Sequence, residues 1–194
     1  MPHDWRKQLA SDVDFARSII LSVGEVQPMF VLHSPKQSHM VAAQWSSREE
    51  KRLTRALVRL LGVAEGVEAI SFMSECWSAE YRQLPGESQA ATRRRAEAGP
   101  PVSEREGRIE ILMVMNVYRE NDKRHCRGVV MEIIRDADGK VSDLVERTDP
   151  GGEEGFEGPL ANLLVDPEPT PEERQQAQAM LSSMNVLHKR STLH

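Results

Sequence analysis

Four side chains have the type and placement to do chemistry together: Glu75, Glu104, Glu110 and His33. Glu75 lies in the apolar run 67–78 (VEAISFMSECWS) and Glu110 in the run 108–118 (RIEILMVMNVY). Both runs read as strands, and on the first of them Met73, Glu75 and Trp77 face one way while Phe72, Ser74 and Cys76 face the other. A carboxylate set between a methionine and a tryptophan is not left unpaired if it is buried. Arg108 opens the neighbouring run, so the structural expectation is a Glu75–Arg108 ion pair that fixes strand register. The functional alternative makes Glu75 a base or a metal ligand, with Glu104, Glu110 and His33 near it. Paired carboxylates of this kind support hydrolytic or metal-assisted chemistry.

No dedicated metal or cofactor site is expected. His33 and His39 flank a turn, while His3, His188 and His194 lie near the termini. His125 and Cys126 are adjacent on a strand, so their side chains point to opposite faces and cannot readily chelate one ion together. Cys76 and Cys126 read as small buried hydrophobes. Nucleophile elbow, phosphate loop, dinucleotide fingerprint and CxxC are all missing from the sequence. Arg93-Arg94-Arg95 is a second binding candidate, since three arginines can grip a phosphate or an acidic partner. Glu87, Glu97, Glu104 and Glu106 surround it and dilute its field, so an exposed loop is the plainer reading.

The motif Ser74-Glu75-x-Trp77, followed by Pro101-Val102-Ser103-Glu104 and then Arg108-x-Glu110-x-Leu112, resembles a group of small bacterial proteins of unknown function. Val102 interrupts the proline–serine contact of that pattern, and Cys76 stands where a small residue such as alanine is usual. The resemblance covers about residues 67–132, with an extension towards 156–164. It implies no activity. It adds weight to Glu75, Trp77, Glu104, Arg108 and Glu110.

These residues must be positioned by the surrounding elements. Asp4 caps a helix from Trp5 to about Val23, with Trp5, Leu9, Val13, Ala16 and Ile20 as its apolar stripe. A strand over 26–33, a turn at 34–37 and a strand over 39–45 make a hairpin. Ser46 and Ser47, each with a glutamate three residues on, start a second helix that Gly62 ends or nearly ends. Its arginines read as a solvated face. After the strand 67–78 comes a long polar connection, 79–107, with a short helix over 88–98. Strands over 108–118, 124–135 and 140–146 form a meander, closed by turns at 120–123 and 136–139. Residues 148–158 are acidic and glycine-rich, and Phe156, Leu160, Leu163, Leu164 and Val165 are expected to pin a short segment back on the core. A two-proline linker at 166–169 leads to a helix over 171–187, capped by Thr170, with Pro171 at its first position and Glu173 closing a capping box, and with Ala177, Met180, Leu181, Met184 and Leu187 as its apolar set.

This order predicts an α+β fold: a mostly antiparallel sheet of about five to six strands, helices packed on one face, and a C-terminal helix. One domain spans 1–165, and 166–194 is linker and helix. The chain of 194 residues has a net charge of -5, which argues against nucleic acid and anionic lipid as partners. Two cysteines, no signal-like N-terminus and no membrane-length apolar run suggest a soluble, cytoplasmic protein. The leading functional expectation is a non-catalytic binding or assembly module of bacterial, phage-associated character. A carboxylate-based hydrolase or metal-dependent enzyme centred on Glu75 is the alternative. The C-terminal helix either folds back on its own domain or joins a homodimer or protein partner, with exchange between two copies as one route.

Overall fold

The computed structural model describes residues 4–79, 83–120, 123–147, 162–164 and 169–183. In chain order these form α1 (Trp5–Val23), β1 (Met29–His33), β2 (Ser38–Ala42), α2 (Arg48–Glu65), β3 (Ala69–Ser78), α3 (Gln89–Ala98), a 3-10 turn (Val102–Glu104), β4 (Ile109–Glu120), β5 (Lys123–Arg135), β6 (Val141–Arg147) and α4 (Pro171–Ser183). The six strands form one antiparallel sheet in the order β2-β1-β3-β4-β5-β6. The α+β class and the antiparallel sheet follow the sequence expectation.

The helices do not share one face, which corrects that part of the expectation. α1 packs Leu9, Val13, Ala16 and Ile20 against Val31, Met73, Leu112, Val114, Met131 and Ile133. α2 and α4 cover the other face, where Val58, Leu61, Ala64, Ala177 and Leu181 meet Phe30, Leu32, Ile70 and Val117. The reason lies in the strands. β1 is buried on successive residues from Phe30 to His33, and β4 from Val114 to Tyr118. Such runs lack the alternation of a half-solvated sheet and require cover on both sides. Phe30, Phe72 and Trp45 form an aromatic trio on the α2 side, with Phe30 and Phe72 centroids 4.8 Å apart.

The second helix runs through Gly62 and stops at Gly66. Gly66 has φ +62°, and its N–H reaches back to the carbonyls of Gly62 and Val63. A left-handed cap of this kind costs glycine no side-chain clash. At the other end, Ser47 Oγ accepts from the Glu50 N–H at 3.1 Å, and Glu50 accepts from Ser46. The Ser46 N–H holds the Glu50 carboxyl below its usual range.

α4 folds back on its own chain. Thr170 and Glu173 cap it reciprocally, at 3.2 and 2.8 Å. Ala177 and Leu181 are buried against α2, and Gln178 Nε2 donates to the Ala64 carbonyl at 3.0 Å. Leu163 and Leu164 are buried in the same cluster. The acidic stretch 148–158 with Phe156, together with Leu160, Val165, Met184, Leu187 and the terminal histidines, lies outside the described residues. Among the described residues no helix is long and apolar enough to cross a membrane.

Candidate functional site

The β3–β4 register sets Trp77 opposite Glu110 and Glu75 opposite Leu112, all on the α1 face. Met131, Ile133 and Arg135 share that face on β5. Arg135 thereby meets both carboxylates. Its Nε and Nη2 grip Glu110 in a bidentate pair at 2.8 and 2.6 Å, and Nη2 reaches Glu75 Oε1 at 3.5 Å. Nη1 donates to the carbonyls of Gly24 and Gly139, at 3.1 and 3.2 Å. One guanidinium thus joins the end of α1, the β3–β4 pair and the β5–β6 turn. Glu75 accepts a further, long hydrogen bond from the Val26 N–H at 3.4 Å.

The two carboxyls are driven apart. Burial raises Glu75 to about 7, helped by the hydrogen bond and the repulsion from Glu110 beside it. The Arg135 hydrogen bonds hold Glu110 below the ordinary carboxylate range. Arg135 is itself raised, chiefly by its hydrogen bonds to Glu110. Below neutral pH the pair therefore shares one proton, carried on Glu75 and offered to Glu110, and that proton is about half released at pH 7. Both carboxyls keep some contact with solvent, Glu75 at 25% and Glu110 at 14% exposure.

The expected Glu75–Arg108 ion pair does not form, and Arg135 takes its place. Glu110 is level with Trp77, so Arg108 lies two residues beyond that level and four beyond Glu75. At about 3.3 Å per residue its guanidinium is well placed for Trp77 and too far along the strand for Glu75. It sits 5.2 Å from the Trp77 ring centroid and donates to the Arg105 carbonyl at 3.3 Å. Trp77 itself is 44% exposed.

The remaining sequence candidates lie elsewhere. Glu104 is exposed in the 3-10 turn. His33 pairs with Ala69, six residues along β3 from Glu75 and therefore about 20 Å away. Arg93 and Arg94 are exposed on α3, a helix with no buried residue. Arg95 is held by Glu87 at 2.9–3.0 Å, and its hydrogen bonds drive the Glu87 carboxyl down to about 2. Cys76 and Cys126 are half-buried free thiols, raised above the ordinary range by burial. Among the described residues no three His, Cys, Asp or Glu side chains are grouped to hold a metal ion. A surface depression of about 450 Å³, lined by Gln27, Pro28, Gln44, Trp45, Ser46 and Glu50, contains none of the candidates.

Sequence reasoning missed a second polar cluster on the same sheet face. Asp12, His33, Ser71 and Asn116 are each 5% exposed or less. Asp12 Oδ2 lies 2.9 Å from His33 Nε2 and also accepts from Ser71 Oγ, while Gln8 Nε2 reaches Asp12 Oδ1 at 3.2 Å. Asn116 Nδ2 donates to Ser71 Oγ at 2.7 Å. Outward, His33 Nδ1 meets Ser38 Oγ at 2.8 Å. The signal was in the sequence: Asp12 falls within the apolar stripe of α1, between Leu9 and Ala16, and Ser71 and Asn116 interrupt apolar strands. A polar residue at a core-facing position implies a buried partner.

Comparison with protein-family models, with curated proteins and with solved structures finds no match in any of the three.

Proposed function

We propose that this chain is a binding or assembly module, and that the end of the sheet around Glu75 works by contact rather than by catalysis. One observation carries the reading. The two carboxyls that meet are tied to a structural arginine, while the large side chains beside them are left to solvent. Trp77 offers an exposed ring with Arg108 over it. The end of α1 adds the exposed Leu21 and Val23, just before the Gly24 carbonyl that Arg135 holds. Exposed aromatic and arginine side chains are the groups that anchor protein partners. A protein segment with an apolar anchor and a hydrogen-bond acceptor for Glu75 is the occupant that suits this surface.

The test is selection of binders from a random-peptide library, followed by titration of each on wild type, Trp77→Ala and Arg108→Ala. Loss of about tenfold or more in affinity on either variant supports the reading. Peptides that bind all three proteins equally contradict it.

A hydrolase reading keeps one observation in its favour. A carboxylic acid that titrates near 7 beside an ionised partner is suited to general-acid work. Turnover of nitrophenyl esters or phosphates that disappears in Glu75→Gln would establish it. For the partner, exchange of α4 between two copies would preserve the Ala177–Leu181 contact while moving it to a second chain. Light scattering decides this point: a mass of two chains supports exchange, and a mass of one chain restricts the module to foreign partners.

A further inference from the structure

We propose that Ser38 is an activated nucleophile for acyl transfer, driven by His33 and Asp12. This site lies about 20 Å along the sheet from Glu75 and shares no residue with the binding surface described above. The proposal goes beyond that reading and does not depend on it.

The geometry is a linear relay. Ser38 Oγ is 2.8 Å from His33 Nδ1, and His33 Nε2 is 2.9 Å from Asp12 Oδ2. The hairpin explains the first contact. The Ser34 N–H donates to the Gln37 carbonyl at 2.9 Å, so Ser34 and Gln37 form a hydrogen-bonded pair. The next pair, His33 and Ser38, is then a non-hydrogen-bonded pair, in which side chains approach most closely. The second contact comes from α1, whose buried stripe carries Asp12 down onto the sheet.

The network also assigns the tautomer. Asp12 is an acceptor for the side chains of Ser71 and Gln8. It accepts from the ring as well, so the imidazole proton sits on Nε2. Nδ1 is left with a lone pair directed at the Ser38 hydroxyl. The imidazole is turned end for end relative to the usual serine-protease relay, but the roles of nucleophile, base and orienting carboxylate are the same. His33 is 2% exposed and Asp12 5%, so the base is shielded from water, whereas Ser38 is exposed. β2 is an edge strand, and the N–H of a non-hydrogen-bonded pair points away from its neighbour. The Ser38 N–H therefore faces the open edge, where it can donate to an oxyanion.

The fitting substrate class is an unhindered carboxylic ester. Ser38 Oγ attacks the ester carbonyl while its proton passes to His33 Nδ1. The tetrahedral intermediate collapses, the acyl–oxygen bond to the alcohol breaks, and the alcohol leaves with the proton from Nδ1. Water then attacks acyl-Ser38 by the same route in reverse, releasing the acid and restoring the hydroxyl.

The experiment uses the full chain, a fluorophosphonate probe and p-nitrophenyl acetate, with the modified residue located by peptide mass spectrometry. We expect one phosphonyl group per chain on Ser38 and an acyl-enzyme burst, both abolished in Ser38→Ala. His33→Gln should slow labelling by about a hundredfold, the scale of a positioned general base. His33 is buried and its variant can fail to fold, so wild type in denaturing urea is the second arm. Labelling at Ser38 must fall by a similar factor when the relay is dismantled. No adduct on Ser38, equal labelling in urea, or a burst that survives Ser38→Ala overturns the proposal.

Discussion

Two polar clusters share one face of one sheet, and the fold treats them in opposite ways. At the Asp12 end, a carboxylate, a histidine, a serine and an asparagine are sealed beneath α1 and bonded chiefly to one another, with Asn116 Oδ1 the one buried side-chain atom of the four residues left without a partner. At the Glu75 end, two carboxylates and an arginine lie where α1 has just ended, each 14–28% exposed. The difference is where the covering helix stops. Residues under its body need fixed, mutually satisfied partners, because water is not available to them. Residues at its terminus retain solvent, and one of them can hold a proton at neutral pH.

Removing the acceptor from the sealed cluster should have the largest effect. Asp12→Ala leaves His33, Ser71 and Gln8 without their shared partner, at an expected cost of about 3–5 kcal/mol in urea denaturation. Asp12→Asn keeps an acceptor and should cost visibly less. If both variants lose under about 1 kcal/mol, the sealed cluster is not the rigid one.

Arg135→Ala is the matching change at the open end. It frees both carboxyls, as well as the Gly24 and Gly139 carbonyls. Partial exposure limits the loss to about 2–4 kcal/mol at pH 8, with a smaller loss at pH 5, where Glu75 is protonated. Equal losses at the two pH values would break the link between Arg135 and the Glu75 charge.

Glu75→Gln sharpens the contrast through pH. The Glu75 carboxyl is raised from 4.5 to about 7, so between these values the native state holds a proton that the unfolded state has released. Its contribution to stability is present in full below about 4.5 and is lost as pH rises through about 7. After allowance for solvent, this amounts to on the order of 1–2 kcal/mol. The glutamine variant should lack that slope between pH 5 and 8 and should exceed wild type in stability at pH 8. Thermal or urea midpoints across the range provide the check.

Trp77→Ala should change stability least, by no more than about 0.5 kcal/mol, because the ring is largely outside the core. Its effect belongs to binding. A large loss of stability would instead make Trp77 a packing residue.

Much of the fold was legible from periodicity and punctuation. The stripe Trp5, Leu9, Val13, Ala16 and Ile20 and the caps at Ser47 and Thr170 match the observed helices. The 136–139 turn and the alternation Met73, Glu75, Trp77 also fall as read. Two-sided burial was visible in β1 and β4 as apolar residues on successive positions, Met29–Leu32 and Ile111–Met115, yet hairpins favoured a one-sided sheet and that signal prevailed. The helix end at Gly66 was obscured by Gly62, which packs within the helix near Val67. Glu75 and Glu110 were found because a carboxylate in an apolar strand is conspicuous. Arg135 was not connected to them, because that link depends on the β4–β5 register, and Arg108 was nearer in sequence. Asp12 and His33 meet across 21 positions and two element types, a pairing that only the docking of α1 reveals.

The central claim is that Glu75 keeps its proton well above the ordinary carboxylate range, up to about pH 7, while Glu110 stays ionised under Arg135. It is tested most directly by following the side-chain carboxyl carbons of glutamate in a ¹³C-labelled sample as pH is changed, with Glu75→Gln used to assign the resonance. The account predicts that the Glu75 carbon titrates with a midpoint near 7 and that the Glu110 carbon shifts only at acid pH. A Glu75 midpoint in the ordinary range near 4.5 would contradict it.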